Sequence, residues 1–303
     1  MFGGAVVYDP WIPDTISLAT MIAGLENRVM LAPEQVGLVG IPSFNSVKDL
    51  RSLVKSQGWN ATEGGKYKLY QWVYDNLWPR LEHRIIGVIS AGPPTSGKIA
   101  GSTGDYYYPL CLASRDYYTA LRLSALYLDP KDKRQGDLLA KFLEGAPAPT
   151  PVSGCYANDE LPTTALISRY GGWNMALSWP NGPLQGYNLT VLSGIRPALK
   201  RYNPEISQDR ILPTLGRKPV ATVWCTDGDN LDYQLDRGFQ GGLQWIWEDL
   251  QGHRFGWTNN PTLVDLAPLV WNYYVDTRKE VRFVGGYSGA GRRRWIIWNS
   301  SPG

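Results

Sequence analysis

Histidine and cysteine are scarce in this sequence. Of 303 residues only two are histidine, His83 and His253, and three are cysteine, Cys111, Cys155 and Cys225. The histidines are far apart and show neither H-x-x-x-H nor H-E-x-x-H spacing, which argues against a multi-histidine metal site and a metal-dependent polysaccharide deacetylase. A Ser-His-Asp or Cys-His centre would have to use one of these two, and neither has a nucleophile motif beside it. Acid–base chemistry therefore falls to carboxylates. Three cysteines without a C-x-x-C pair define no disulfide framework. No run approaches the roughly 18 uninterrupted apolar residues of a membrane helix, so no span is expected. The net charge of +3 is too small to argue for a nucleic-acid partner, and the basic residues are scattered apart from Arg292, Arg293 and Arg294. The segment Met1 to Asp9 has no charged n-region and no cleavage site, so no secretion signal is read in this chain.

Phenylalanine is also sparse, at 6, against 13 tryptophans and 18 tyrosines. Tryptophan and tyrosine offer flat surfaces with a polar edge that stack well on a partner such as a sugar ring, although many such rings are core. Sequons occur at Asn60-Ala61-Thr62, Asn188-Leu189-Thr190 and Asn299-Ser300-Ser301.

Hydrophobic patterning predicts a strand over 4–8, a helix over 14–25 capped at Asp14-Thr15, and a strand over 28–31, together a βαβ unit. Helices are predicted over 46–56 and 66–77, a buried strand over 84–89, and a loop over 92–97. After Gly104 to Pro109 come helices over 115–128 and 131–143. The run Ala146-Pro147-Ala148-Pro149-Thr150-Pro151 reads as a rigid linker. Beyond it, strands over 220–224, 254–257 and 281–284 alternate with helices over 243–250 and 262–274, the signature of a parallel sheet. The expected organisation is an α/β region over 1–145, divisible into two small domains near residue 90, a small α/β segment over 152–217, and a C-terminal domain over 219–303. No internal repeat is present.

The most informative motif is the strand Val220 to Trp224 running into Cys225-Thr226-Asp227-Gly228-Asp229-Asn230. It delivers two carboxylates and a carboxamide to a strand's C-terminal end, where parallel α/β folds bind ligands. Two acids so placed can divide acid and base roles, or hold a sugar hydroxyl or a cation. Asp229 or Asn230 capping the next helix is the competing reading. A calcium loop starting at Asp227 fails, because Asp232 and Gly238 stand where glycine and glutamate are required; a looser cation site is a lesser alternative. A second motif is Arg254-Phe255-Gly256-Trp257-Thr258-Asn259-Asn260-Pro261. A third, Phe283 to Gly291, is a glycine-rich loop that lacks both G-x-G-x-x-G spacing and a P-loop lysine, which disfavours nucleotide binding.

Taken in order, these motifs resemble the GxGYxYP family of glycoside hydrolases. Thr226 to Asn230 is similar to the family's Asp-Gly-Asp-Asn strand end, Gly256 to Pro261 to its Gly-Trp-Thr…Pro unit, and Ser288 to Gly291 to its Ser-Gly-x-Gly-Tyr loop. Upstream, Asp105 to Pro109 through Asp129-Pro130, Asp159-Glu160, Arg169-Tyr170-Gly171 and Tyr187 to Gly194 follow the expected order. After Gly291 the sequence departs: Arg292-Arg293-Arg294-Trp295 replaces the namesake tyrosines and proline. With the abrupt start, this leads to the expectation of a fragment or truncated product.

The resemblance implies carbohydrate hydrolysis through paired carboxylates. The catalytic candidates are Asp227 and Asp229, with Glu160 as a partner from the middle segment. Asn230, Trp257, Asn259, Ser288 and Gly289 are the substrate-binding candidates. The implied fold is α/β, with small N-terminal α/β domains followed by an incomplete parallel (β/α) barrel-like C-terminal domain. No cofactor and no metal ligand set is assigned. The expected partner is a carbohydrate substrate, and the resemblance favours the secretory pathway. A non-catalytic carbohydrate-binding protein and an inactive truncated product are the alternatives.

Overall fold

The computed structural model describes residues 2–36, 46–89, 114–154, 160–176, 188–202, 221, 223–225, 231–235, 245, 253 and 255–285. The chain divides into two compact units, Met1–Pro183 and Leu184–Gly291.

In the first unit, β1 (Gly4–Val7), α1 (Asp14–Glu26) and β2 (Arg28–Leu31) form the expected βαβ element. β1 lies at the centre of a parallel sheet ordered β2-β1-β3, with Ala5 opposite both Val29 and Val47 of β3 (Val47–Asp49). All four residues of β1 are buried. Thr15 to Ala23 of α1 are buried without interruption, the mark of a helix enclosed on all sides. The helix stops at Asn27, whose left-handed backbone (φ 52°) lets its N–H reach the Ala23 carbonyl. Thr15 does not cap this helix. Its hydroxyl accepts from the Asp9 N–H and lies within hydrogen-bond distance of the Asp9 and Ile12 carbonyls, pinning the turn that enters α1.

The helix expected over 46–56 is a strand followed by a helix, α2 (Leu50–Gln57). Val47 to Asp49 pair with the open edge of β1, and this tertiary pairing overrides local helical pattern. The Asp49 carboxylate then accepts the Arg51 N–H and starts α2. α3 (Glu63–Asn76) begins three residues before its expected start because Thr62 caps it through the Gly65 N–H.

A second parallel sheet is ordered β4-β5-β6, from β4 (Ile86–Val88), β5 (Pro151–Gly154) and β6 (Trp173–Ala176). Around it lie α4 (Arg115–Leu121), α5 (Lys133–Glu144) and α6 (Glu160–Arg169). The helix expected over 115–128 ends at Leu121. Arg122 turns left-handed (φ 56°), and the chain then bridges alongside β4 through Glu82↔Leu123 and Val88↔Leu126. This path buries Leu123, Ala125 and Leu126 completely. The proline-rich run 146–151 leads from α5 directly into β5 of the same unit. Gly154 closes β5 at φ 122°, and a Cβ there would sit 1.7 Å from the Val88 carbonyl oxygen.

The second unit holds α7 (Leu189–Gly194), β7 (Trp224–Cys225), α8 (Leu231–Leu235), β8 (Gly256–Asn259), α9 (Leu263–Leu266), α10 (Pro268–Thr277) and β9 (Arg282–Gly285). Its strands form a third parallel sheet, β7-β8-β9, with Trp257 opposite Cys225 and Phe283. The helix expected over 262–274 is two helices: Ala267 leaves helical geometry and Pro268 opens α10. The expected loop 92–97, the segment 104–109 and the body of the helix expected over 243–250 lie outside the described residues. Among the described residues no helix is long and apolar enough to cross a membrane.

Two expected outcomes follow from this packing. Gly154→Ala loses at least about 2 kcal/mol in chemical denaturation, because strained φ and a backbone clash act together. The Asp14 carboxyl is raised above its ordinary 3.8 by desolvation, which outweighs the pull of Lys66 and the hydrogen bond from the Tyr70 hydroxyl. A raised carboxyl pKa means that the folded state binds more protons than the unfolded one, so stability falls as pH climbs from 3.8 through the folded value. Asp14→Asn keeps the acceptor for Tyr70. It flattens this descent and raises the neutral-pH melting temperature, as read by thermal unfolding from pH 3.5 to 8.

Candidate functional site

The third sheet is built around an aromatic core. Trp257 of β8 is 1% exposed. It meets Trp245 edge-to-face at 5.2 Å, and Trp245 also packs on Tyr274 at 4.7 Å and stacks on Phe283 at 5.7 Å. The Trp245 indole N–H donates to the Thr277 hydroxyl at 2.7 Å, so this ring is fixed from both ends.

Strand alternation puts Trp257 and Asn259 on one face of β8, the central strand, with Asn259 its last residue. Both carry buried polar atoms with no protein partner: the Trp257 Nε1, and both the Nδ2 and the Oδ1 of Asn259. Asn259 is only 6% exposed. Among the described residues it is the one side-chain amide with both ends buried and unpaired. Buried amides are normally satisfied, and one left unmade costs about 1–3 kcal/mol of desolvation. The neighbouring Asn260 shows the contrast. Its Oδ1 accepts from the Thr262 N–H at 2.9 Å and the Thr262 hydroxyl at 2.6 Å, so this amide serves the turn into α9.

Gln234 of α8 organises the same stretch. It is 1% exposed; its Oε1 accepts the Asn260 N–H at 3.2 Å and its Nε2 donates to the Thr258 carbonyl at 3.4 Å. The Tyr274 hydroxyl donates to the backbone carbonyl of Gln234 at 2.9 Å. The arrangement offers an uncharged donor–acceptor pair and one indole donor in an apolar, aromatic setting.

Of the residues expected from sequence, the structure brings together Trp257 and Asn259. A sugar-stacking platform needs an open ring face, and Trp257 has none; what it leaves unpaired is its N–H. Glu160 is the first residue of α6 in the first unit, where its backbone carbonyl accepts the Thr164 hydroxyl at 2.9 Å. Asp227, Asp229, Asn230, Ser288 and Gly289 lie outside the described residues. Among the described residues no group of three or more His, Cys, Asp and Glu side chains is arranged to hold a metal. Gln234 and Trp245 escaped the sequence reading. Neither stands in a recognisable motif, and Gln234 is marked only by falling four residues after Asn230.

All three sheets are parallel and linked through helices, which makes this an α/β protein. Residues 2–81 match the second domain of the N-terminal region of GxGYxYP proteins, and residues 217–292 match the "GxGYxYP putative glycoside hydrolase C-terminal domain". The chain belongs to the GxGYxYP family. No protein with a curated description matches it. A crystal structure of a "putative hydrolase" from Bacteroides thetaiotaomicron shares its fold, with a TM-score of 0.68 over 96% of this chain at 21% identity. The chain spans about half of that protein, 49% of its length.

If the Asn259 amide is kept for a ligand, removing it leaves the fold intact. Asn259→Leu, close in volume, is expected to unfold within about 1 kcal/mol of the parent or above it in urea, since an unpaired buried amide contributes nothing to stability. A loss above about 2 kcal/mol would show that the amide is holding the core together.

Proposed function

We propose that the chain supplies the carbohydrate-processing part of a glycoside hydrolase. Asp227 and Asp229 follow β7 in sequence and act as the carboxylate pair. Two such carboxyls work about 5 Å apart for retention, or about 6.5–9.5 Å apart for inversion. Asn230, Asn259, Ser288 and Gly289 bind the sugar, and Trp257 contributes its indole N–H rather than its ring face. β7, β8 and β9 with their helices are read as part of a (β/α) barrel-like C-terminal domain. The proposal calls for no cofactor.

The observation that carries this reading is the unspent Asn259 amide at the carboxyl end of a central parallel strand, the position from which α/β folds address ligands. The name of the matching C-terminal domain supports the reaction class. An uncharged amide and an indole N–H suit hydroxyl and acetamido groups of a neutral sugar better than a phosphate or a carboxylate.

A panel of 4-nitrophenyl hexosides, with calorimetric titration of the matching free sugars, tests it. Asp227→Asn is expected to lower turnover at least about a hundredfold, the scale of a lost acid–base group, while sugar binding survives. Binding without turnover in the parent chain points to the non-catalytic carbohydrate-binding alternative, and neither binding nor turnover overturns the reading.

A further inference from the structure

Among the described residues, the side chain of Gln234 bonds the backbone on both sides of Asn259. The Thr258 carbonyl belongs to the peptide unit before Asn259, and the Asn260 N–H belongs to the unit after it. Gln234 bonds both, the first through Nε2 and the second through Oε1. A single buried amide therefore brackets Asn259 on its two backbone sides while leaving the Asn259 side chain unpaired. Gln234 is in turn fixed by the Tyr274 hydroxyl on its own carbonyl, and by the burial of Leu231 and Leu235 on the same short helix.

We infer that Gln234 is a positioning residue for the ligand-facing amide of Asn259. The chemistry of the clamp supports this role. Only a carboxamide offers a donor and an acceptor at one planar end, as needed to bond a C=O and an N–H flanking one residue. A glutamate would accept from Asn260 but repel the Thr258 oxygen. A methionine would fill the space and make neither bond. The cost of leaving Asn259 unpaired is tolerated because the backbone beneath it is over-determined, the arrangement by which rigid elements hold a preorganised site. The clamp also reaches back along the chain: α8 begins at Leu231, immediately after Asn230, so the residue that fixes Asn259 sits on the helix that follows the carboxylate motif. The inference rests on the proposed carbohydrate site only for the identity of the ligand.

The test uses the full chain, labelled with ¹⁵N, and follows the side-chain NH₂ signal of Asn259, assigned by its disappearance in Asn259→Leu. In Gln234→Met with a retained cooperative thermal transition, that signal is expected to shift or split. Affinity for the hexoside that binds the parent should fall about tenfold or more, as expected for a misplaced contact. An unmoved Asn259 signal in folded Gln234→Met overturns the clamp. Should Gln234→Met not fold, hydrogen exchange in the parent decides. Slow exchange of the Asn260 backbone N–H supports the clamp, and fast exchange refutes it. If the parent binds no hexoside yet the Asn259 signal moves in Gln234→Met, the positioning role stands and the carbohydrate reading falls. If a hexoside binds and the signal is indifferent to Gln234, the reverse holds.

Discussion

Parallel strand pairing is the constraint on which this structure depends. A parallel neighbour cannot be reached by a tight turn, so each pairing commits the chain to a crossover, and the crossovers cover the faces of the sheet. β1 pairs in parallel on both edges, β5 joins β4 and β6, and β8 joins β7 and β9. The three central strands are consequently covered on both faces, and side chains on them are removed from water. Ala5 to Val7, Val152 and Trp257 are all essentially inaccessible. Functional groups in such a fold are pushed to the strand ends, where Asn259 stands.

Polar groups inside this framework are handled in two ways. Most are paired. Arg115, fully buried at the start of α4, donates to Thr20 of α1 at 2.8 Å, and Tyr118 reaches the Ser153 carbonyl at 2.9 Å. These contacts tie α4 to α1 and to β5, and Gly24 lets the two helices approach until a Cβ would stand 2.6 Å from the Thr119 carbonyl oxygen. A few are not paired, and Asn259 is the one described amide with neither end satisfied. The difference between Asn259 and Asn260, adjacent and chemically identical, is that one amide serves the fold and the other does not.

The sequence is most legible where local pattern and tertiary demand agree. β2 falls on its expected residues, and α1 extends one residue past its expected end, because a β-branched and apolar run and a buried helical face leave little else for those residues to do. Legibility fails where partners lie far along the chain. Val47 to Asp49 look helical until β1 offers an edge, and Leu123 to Leu126 look helical until β4 does the same. Pro268 is a local signal that marks the break between α9 and α10, yet hydrophobic periodicity runs across it. At the site, the motif around Trp257 and Asn259 was visible as a strand ending in polar residues. That the ring is core, that the amide is unpaired, and that Gln234 brackets it are facts of three-dimensional packing with no trace in spacing.

The all-round burial of α1 has a consequence for how the chain is made. One side of the helix packs on β1 and β2, which are synthesised within a few residues of it, but another packs on α4, which begins about 90 residues later. At roughly 5–20 residues per second, on the order of 5–20 s pass on the ribosome before α4 emerges to cover that side. Through that interval the side of α1 that carries Ser17, Thr20 and Gly24 waits for its cover, so the helix completes its burial only once the chain has been made as far as Arg115.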